Sequence, residues 1–290
     1  MAIGQGHFRA AAAAGCLLLA LSGAMARPAG AEAQATAEAE TTEPAHPDAK
    51  AILLGMARHL AAAPAFGVSL RSGYDVVQES GQKIEFNEKR KVLVQRPDRL
   101  RVEIEHSDGD RQLVLFDGQD ITVASTPQNV YAQAAKPGAL DDAVAYFLRD
   151  LRMRLPLALM LVNELPAELE RRIESVDYVE ETNILGAPAH HLAARTATVD
   201  AQFWVTTGDK PLPLRVVLTY KTAGGAPQFW SEFSDWNLAP SAPDTAFAFS
   251  VPQGARKIPF LTQVPQIATG GAAASVPRDT RPAQDAGERP

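Results

Sequence analysis

A single cysteine in 290 residues excludes an intramolecular disulfide, a cysteine-based zinc site and an iron–sulfur cluster. An excess of positive charge is missing too. The chain carries 28 Lys and Arg against 34 Asp and Glu, a net charge of −6. Binding to nucleic acid usually needs a basic face for the phosphates, so nucleic acid is not expected as a partner. No apolar run reaches the roughly 20 residues of a membrane-spanning helix. Gly and Pro, at 20 and 21 residues, are near average usage, so the whole chain is neither fibrous nor disordered. What is present is a 46% hydrophobic sequence, long enough to build one large core or two small ones.

The start of the chain reads as an export signal. After Arg9, an Ala-rich apolar run from Ala10 to Leu21 contains Leu17-Leu18-Leu19. It has the length of a signal-peptide core. Small-x-small cleavage sites follow at Ala24-Met25-Ala26, Ala29-Gly30-Ala31 and Ala31-Glu32-Ala33, and cleavage after Ala31 is expected. Ala13-Ala14-Gly15-Cys16 resembles a lipobox, but there the cysteine should follow the apolar run, and here Leu17 to Leu21 come after it. Cys16 is therefore expected to leave with residues 1–31. Arg9 and Arg27 leave as well, so 26 basic face 34 acidic side chains and the net charge becomes −8. The mature chain is expected in the periplasm, without a transmembrane segment.

Residues 32–47 are Ala, Glu, Thr and Pro with almost no large apolar side chain, and 265–290 are of the same kind. Neither stretch buries enough to offset its ordering entropy, so both are expected as disordered leader and tail. The folded domain is expected at 48–264. Within it, Asp48 to Ala63 reads as an amphipathic helix with Ile52, Leu53, Met56 and Leu60 on one face, ended by Pro64. From Gly67 the period changes to 2. Lys83 to Gln95 alternates with Ile84, Phe86, Val92 and Val94 on one face. Leu100, Val102 and Ile104 alternate with charged residues, and Asp117-Gly118 is a hairpin signal between Leu113–Phe116 and Ile121–Val123. Val130 and Ala132 mark another strand.

Residues 139–173 interrupt the strands. Ala143, Tyr146, Phe147 and Leu151 fit helical spacing, and Leu155-Pro156-Leu157-Ala158-Leu159-Met160-Leu161-Val162 is the most apolar run of the mature chain. Pro156 breaks or starts a helix there, and Pro166 to Ile173 reads as a second short helix. Strands resume at Asp177–Thr182, His190–Thr196, Val199–Val205, Leu214–Tyr220 and Phe229–Trp236. Phe247 and Phe249 suggest a last one before Pro252. The sum is a mainly β, α+β domain: ten or eleven antiparallel strands with helices at the start and the middle.

If the 139–173 segment wraps one face of that sheet, an apolar space can lie beneath it, suited to an acyl chain or another apolar ligand. Leu155, Leu157, Leu159, Met160 and Leu161 would form its lid, and Val102, Ile104, Phe203 and Val216 its sheet wall. The alternative is that the same residues form a dry core.

Val92-Leu93-Val94-Gln95-Arg96-Pro97-Asp98-Arg99-Leu100, followed by Phe116-Asp117-Gly118, resembles the signature of the LolA/LolB lipoprotein-carrier superfamily. Phe247-Ala248-Phe249-Ser250-Val251-Pro252-Gln253-Gly254-Ala255 is similar to the carrier's last strand and turn. Over about 50–262 the chain is closer to a family of periplasmic proteins within that superfamily. Its marks are Met56-Ala57-Arg58-His59-Leu60, Leu155-Pro156-Leu157, Pro211-Leu212-Pro213-Leu214-Arg215 and Ser234-Asp235-Trp236-Asn237-Leu238-Ala239-Pro240. The resemblance implies a LolA-like open half-barrel with a helical lid. It also implies that Arg96, matching the arginine of the carrier's Arg-Pro motif, latches that lid.

Chemistry is sparse. His190-His191 would point to opposite faces of a strand, which does not suit one metal ion. No nucleophile elbow, phosphate loop or zinc-protease motif occurs. No catalytic residue, metal site or cofactor is therefore expected, and the chain is not expected to be an enzyme. Trp204, Trp230 and Trp236 are expected to pack on the sheet, with a ligand role open for one of them. The expected function is binding of a lipid, an acylated protein or another apolar ligand in the half-barrel. The alternative is an interaction or sensor module that binds an envelope protein partner.

Overall fold

The computed structural model describes residues 47–260. The expected signal peptide, all but the last residue of the expected leader, and the expected tail lie outside them. The first element is α1 (Ala49–Ala62). Asp48 caps it, its carboxylate accepting from the amide of Ala51 at 2.9 Å. Pro64 stops it. Leu53, Met56, Ala57 and Leu60 are buried at i, i+3, i+4 and i+7, while Ile52 is only half-buried. The apolar stripe is thus turned toward Ala57 relative to the expected face.

Six strands follow in a meander: β1 (Ala65–Val77), β2 (Lys83–Gln95), β3 (Arg99–His106), β4 (Arg111–Phe116), β5 (Asp120–Ser125) and β6 (Val130–Ala135). β1 and β2 form a long hairpin in unbroken register from Ala65↔Gln95 to Val77↔Lys83. The expected Asp117-Gly118 turn joins β4 to β5. Asp117 folds its side chain onto the amides of Gln119 and Asp120, and Gly118 takes φ +86°. A second meander comprises β7 (Ile173–Ile184), β8 (Ala187–Thr196), β9 (Val199–Thr206), β10 (Pro213–Tyr220) and β11 (Gln228–Asn237). Between the meanders lie α2 (Leu140–Arg149), a short 3-10 turn (Ala158–Leu161) and α3 (Leu165–Arg172).

With a short last strand, β12 (Arg256–Lys257), the strand order is β12-β6-β5-β4-β3-β2-β1-β11-β10-β9-β8-β7. The last strand of the second meander returns to pair with the first strand of the first. β6 and β7 therefore lie at or next to opposite ends of one open sheet that does not close into a barrel. The chain from β6 to β7 has to cross the full width of the sheet, and α2, the 3-10 turn and α3 are what it builds on the way. This is the expected open half-barrel with a helical cover.

The expected strand at Phe247–Phe249 is not formed. A 3-10 turn at Asp244–Ala246 leads into it, and Phe247 is buried as a plug. Pro240, Pro243 and Pro252 bracket the segment and remove ladder donors. The final strand is instead β12 (Arg256–Lys257), which runs parallel to β6, beside eleven antiparallel strands.

Along β2 the expected face is correct in parity but not in burial. Val92 and Val94 are buried, whereas Ile84 and Phe86 are 40% and 41% exposed. Between them, on the same face, Glu88 and Arg90 are buried. One core cluster runs from α1 across the covered face of the sheet to α2 and α3.

Candidate functional site

The space under residues 139–173 is divided. Over β1, β2 and β3 it is nearly filled: about 30 Å³ remains among Phe66, Val68, Leu70, Val92, Val102, Leu161, Phe233 and Trp236. Beneath α2 about 10 Å³ remains. At roughly 10–15 Å³ per water, the first space holds two or three waters at most and the second no more than one. Toward β9 and β10 the packing opens. There a cavity of about 210 Å³ lies among Met56, Leu148, Leu155, Leu157, Leu159, Met160, Leu165, Leu169, Phe203 and Leu218. All of these named side chains are apolar.

Of the expected lining, Leu155, Leu157, Leu159, Met160 and Phe203 meet at this larger cavity. Val102 and Leu161 border the small one. Ile104 and Val216 belong to the packed core cluster, Val216 with no exposed surface. Leu148, Leu169 and Leu218 were not expected in the lining. Leu148 and Leu169 lie in segments read as helix and Leu218 in one read as strand, but their contact depends on how the helices cross the sheet. Trp236 was expected to pack on the sheet, with a ligand role open for one of the three tryptophans. Its neighbour Asp235 has φ +55°, and the β1–β11 register slips by one residue there. The bulge brings Trp236 onto the face of Phe233 and Phe66, with ring centroids 5.8 Å from each.

Two arginines hold the covering segment. Arg96, just after β2, donates from Nε to the carbonyl of Ala63 at 3.0 Å and from Nη1 to the carbonyl of Leu161 at 2.8 Å. It thereby joins the end of α1 to the end of the 3-10 turn, where helical carbonyls lack intrahelical partners. Burial lowers its pKa, opposed by Asp141. Asp141 in turn accepts from the amides of Asn163 and Glu164, at 2.9 and 3.2 Å to Oδ2. Arg90 donates from Nη1 to the carbonyl of Pro156 at 3.1 Å. It also forms a buried ion pair with Glu88. Burial lowers the Arg90 pKa, and Glu88 opposes that. In the next row Ser72 and Ser231, both fully buried, share a hydrogen bond of 2.9 Å.

The Glu88–Arg90 pair escaped the sequence reading, although a signal existed. Opposite charges two residues apart interrupt the face defined by Phe86 and Val92.

The two histidines are separated as expected. His190 meets the hydroxyl of Tyr178 at 3.2 Å, while His191 stacks on Trp204 at 4.1 Å between ring centroids and meets Gln202. Asp200 pairs with Lys221 and Arg195 instead of either. Among the described residues no three His, Cys, Asp or Glu side chains gather around a point that could hold a metal ion. Among them, too, no helix is long and apolar enough to cross a membrane.

Comparison with curated proteins gives no match. Among solved structures, lipoprotein LppX of Mycobacterium tuberculosis is 12% identical, with 68% of this chain and 99% of that chain covered and a TM-score of 0.41. A LolA superfamily protein of Nitrosomonas europaea is 14% identical, covering 69% and 97%, with a TM-score of 0.33. A chain of the Pseudomonas aeruginosa MucA/MucB complex is 20% identical, covering 70% and 62%, with a TM-score of 0.38. These likenesses are of outline only. The model of one sequence family, described as predicted periplasmic protein (DUF2092), matches residues 49–261. That span takes in nearly every described residue, so the chain belongs to this family of periplasmic proteins.

Proposed function

We propose that this protein binds the acyl chain of a lipid or of an acylated protein, or another apolar ligand, beneath its helical cover, and that it does so without catalysis. The observation that carries the reading is the cavity of about 210 Å³ with its apolar lining. Ligand sites usually enclose about 300–1,000 Å³. The observed form is therefore too small to bury a whole acyl chain, and uptake requires the segment around Leu155–Leu161 to lift. Its fastening suits that movement. Hydrogen bonds from Arg96 to Leu161 and from Arg90 to Pro156 hold it, and both can be exchanged without unfolding the sheet. In this reading Arg96 is the latch.

Native mass spectrometry of protein purified from the periplasm tests the proposal. The expected result is co-purified lipid, or stoichiometric uptake of a fluorescent fatty acid by the emptied protein. Protein that arrives empty and takes up no probe overturns it.

A second reading draws on the small spaces over β1–β3 and under α2, of about 30 and 10 Å³. A domain filled there to this degree also suits a module that binds an envelope protein on its outer face or edge. Recovery of one stable partner by lipid-free protein would favour it.

A further inference from the structure

Glu88 and Arg90 lie on the covered face of β2 with side chains only 4% and 6% exposed. Each has a partner in the other, but Arg90 keeps donors to spare, since a guanidinium offers five. Nη1 is given to the Pro156 carbonyl, and Nε has no hydrogen-bond partner among the described residues. Arg90 borders the small apolar space that Leu70, Val92 and Phe233 also line.

We propose that Arg90 is a carbonyl-recognition site, where the ester or amide carbonyl of an acylated ligand replaces the Pro156 carbonyl once the covering segment lifts. The inference rests on the reading that an acyl chain enters beneath that segment. Three observations support it. Lifting Pro156 away strands a buried donor, which is costly, and a ligand carbonyl at the same point satisfies it again. Glu88 already cancels the charge of Arg90, so a carboxylate or phosphate would bring an unpaired negative charge into a buried space, whereas a neutral acceptor would not. Finally, Arg90 stands where the face changes character. Val92 and Val94 on one side are buried, and Ile84 and Phe86 on the other are apolar but about 40% exposed. A polar linkage held at Arg90 leaves the buried apolar surface of Val92 and Val94 on one side for the chain attached to it, with Glu88 between Arg90 and Phe86 on the other.

The test is competition against a bound fluorescent acyl probe by two molecules with the same chain, monopalmitoylglycerol and palmitate. Wild-type protein is expected to prefer monopalmitoylglycerol at least tenfold. The double variant E88L/R90L, which removes both charges together, is expected to lose most of that preference, with each competitor affinity referred to the variant's own affinity for the probe. In wild-type protein a ¹³C-labelled ester carbonyl is expected to shift to lower infrared frequency on binding, a readout that needs no variant. Equal affinity for the two molecules, preference for palmitate, or an unshifted carbonyl overturns the assignment of Arg90 and leaves the cavity reading standing. Uptake of neither molecule and no probe overturns both.

Discussion

The indole of Trp230 lies against Gly73, its cross-strand partner, so closely that a Cβ on Gly73 would come to 2.5 Å from the ring nitrogen. Trp230 Nε1 reaches past it to donate to Glu85 at 3.1 Å. The guanidinium of Arg215 stands 5.2 Å from the centroid of the Trp230 ring and 5.8 Å from that of Trp204, on which His191 stacks. The glycine is needed for room, not for an unusual φ. Gly73→Ala is expected to destabilise the fold by about 1–3 kcal/mol, as overpacking does. Urea denaturation measures the loss. It should shrink when Trp230→Leu is combined with it, because the clash then disappears.

Arg96 ties two carbonyls from different elements. Arg96→Met is expected to lower stability by about 1–3 kcal/mol, since both acceptors lose a buried donor. The effect should be local. Amide hydrogen exchange should quicken in residues 153–164 and little in β3–β5.

The ion pair under the cover predicts asymmetry. Arg90→Leu or Glu88→Leu alone strands a buried charge and is expected to cost about 3–5 kcal/mol. The double leucine variant is expected to cost much less than the sum. A double-mutant cycle in urea checks this.

Leu218 faces the larger cavity from β10. Leu218→Trp should occupy much of its space. The expected outcome is folded protein with fluorescent fatty-acid uptake reduced at least tenfold, read by titration.

One carboxylate sets a pH dependence. Arg171, and then Arg172, hold the Glu168 carboxyl below its usual range. Its contribution is therefore complete above the unfolded value of about 4.3 and is lost as pH falls through the lower folded value. Glu168→Gln should lower the urea midpoint at pH 7, and by progressively less as pH falls below the unfolded value. Because the arginines are more than half exposed, the difference should be small and should fade with added salt.

The sequence disclosed the fold where one face of an element is simple. Ala201, Phe203 and Val205 alternate and are buried, and Asp48 and Pro64 bound α1. It failed where the outcome depends on distant strands. Nothing near Ile84 and Phe86 shows that the cover stops short of them. Nothing near Phe247 shows that β6 will pair with Arg256 instead. The site was half legible: Leu155–Leu161 stood out as an apolar run, and Arg96 through its Arg-Pro motif. Leu218, Leu169 and the Glu88–Arg90 pair became meaningful only when the crossing segment was laid over the sheet.

That crossing has a mechanical consequence. The segment is continuous at one end with β6 and at the other with β7, strands far apart in an open sheet whose two meanders share a single seam, β1 with β11. It is a bridle between the two wings as well as a cover. Whatever wedges it upward pulls on both wings at once, and a cut in the backbone between Leu151 and Arg154 would release them. In the proposed opening, the continuity of this segment, and not only its contacts, would set how far the two wings can part.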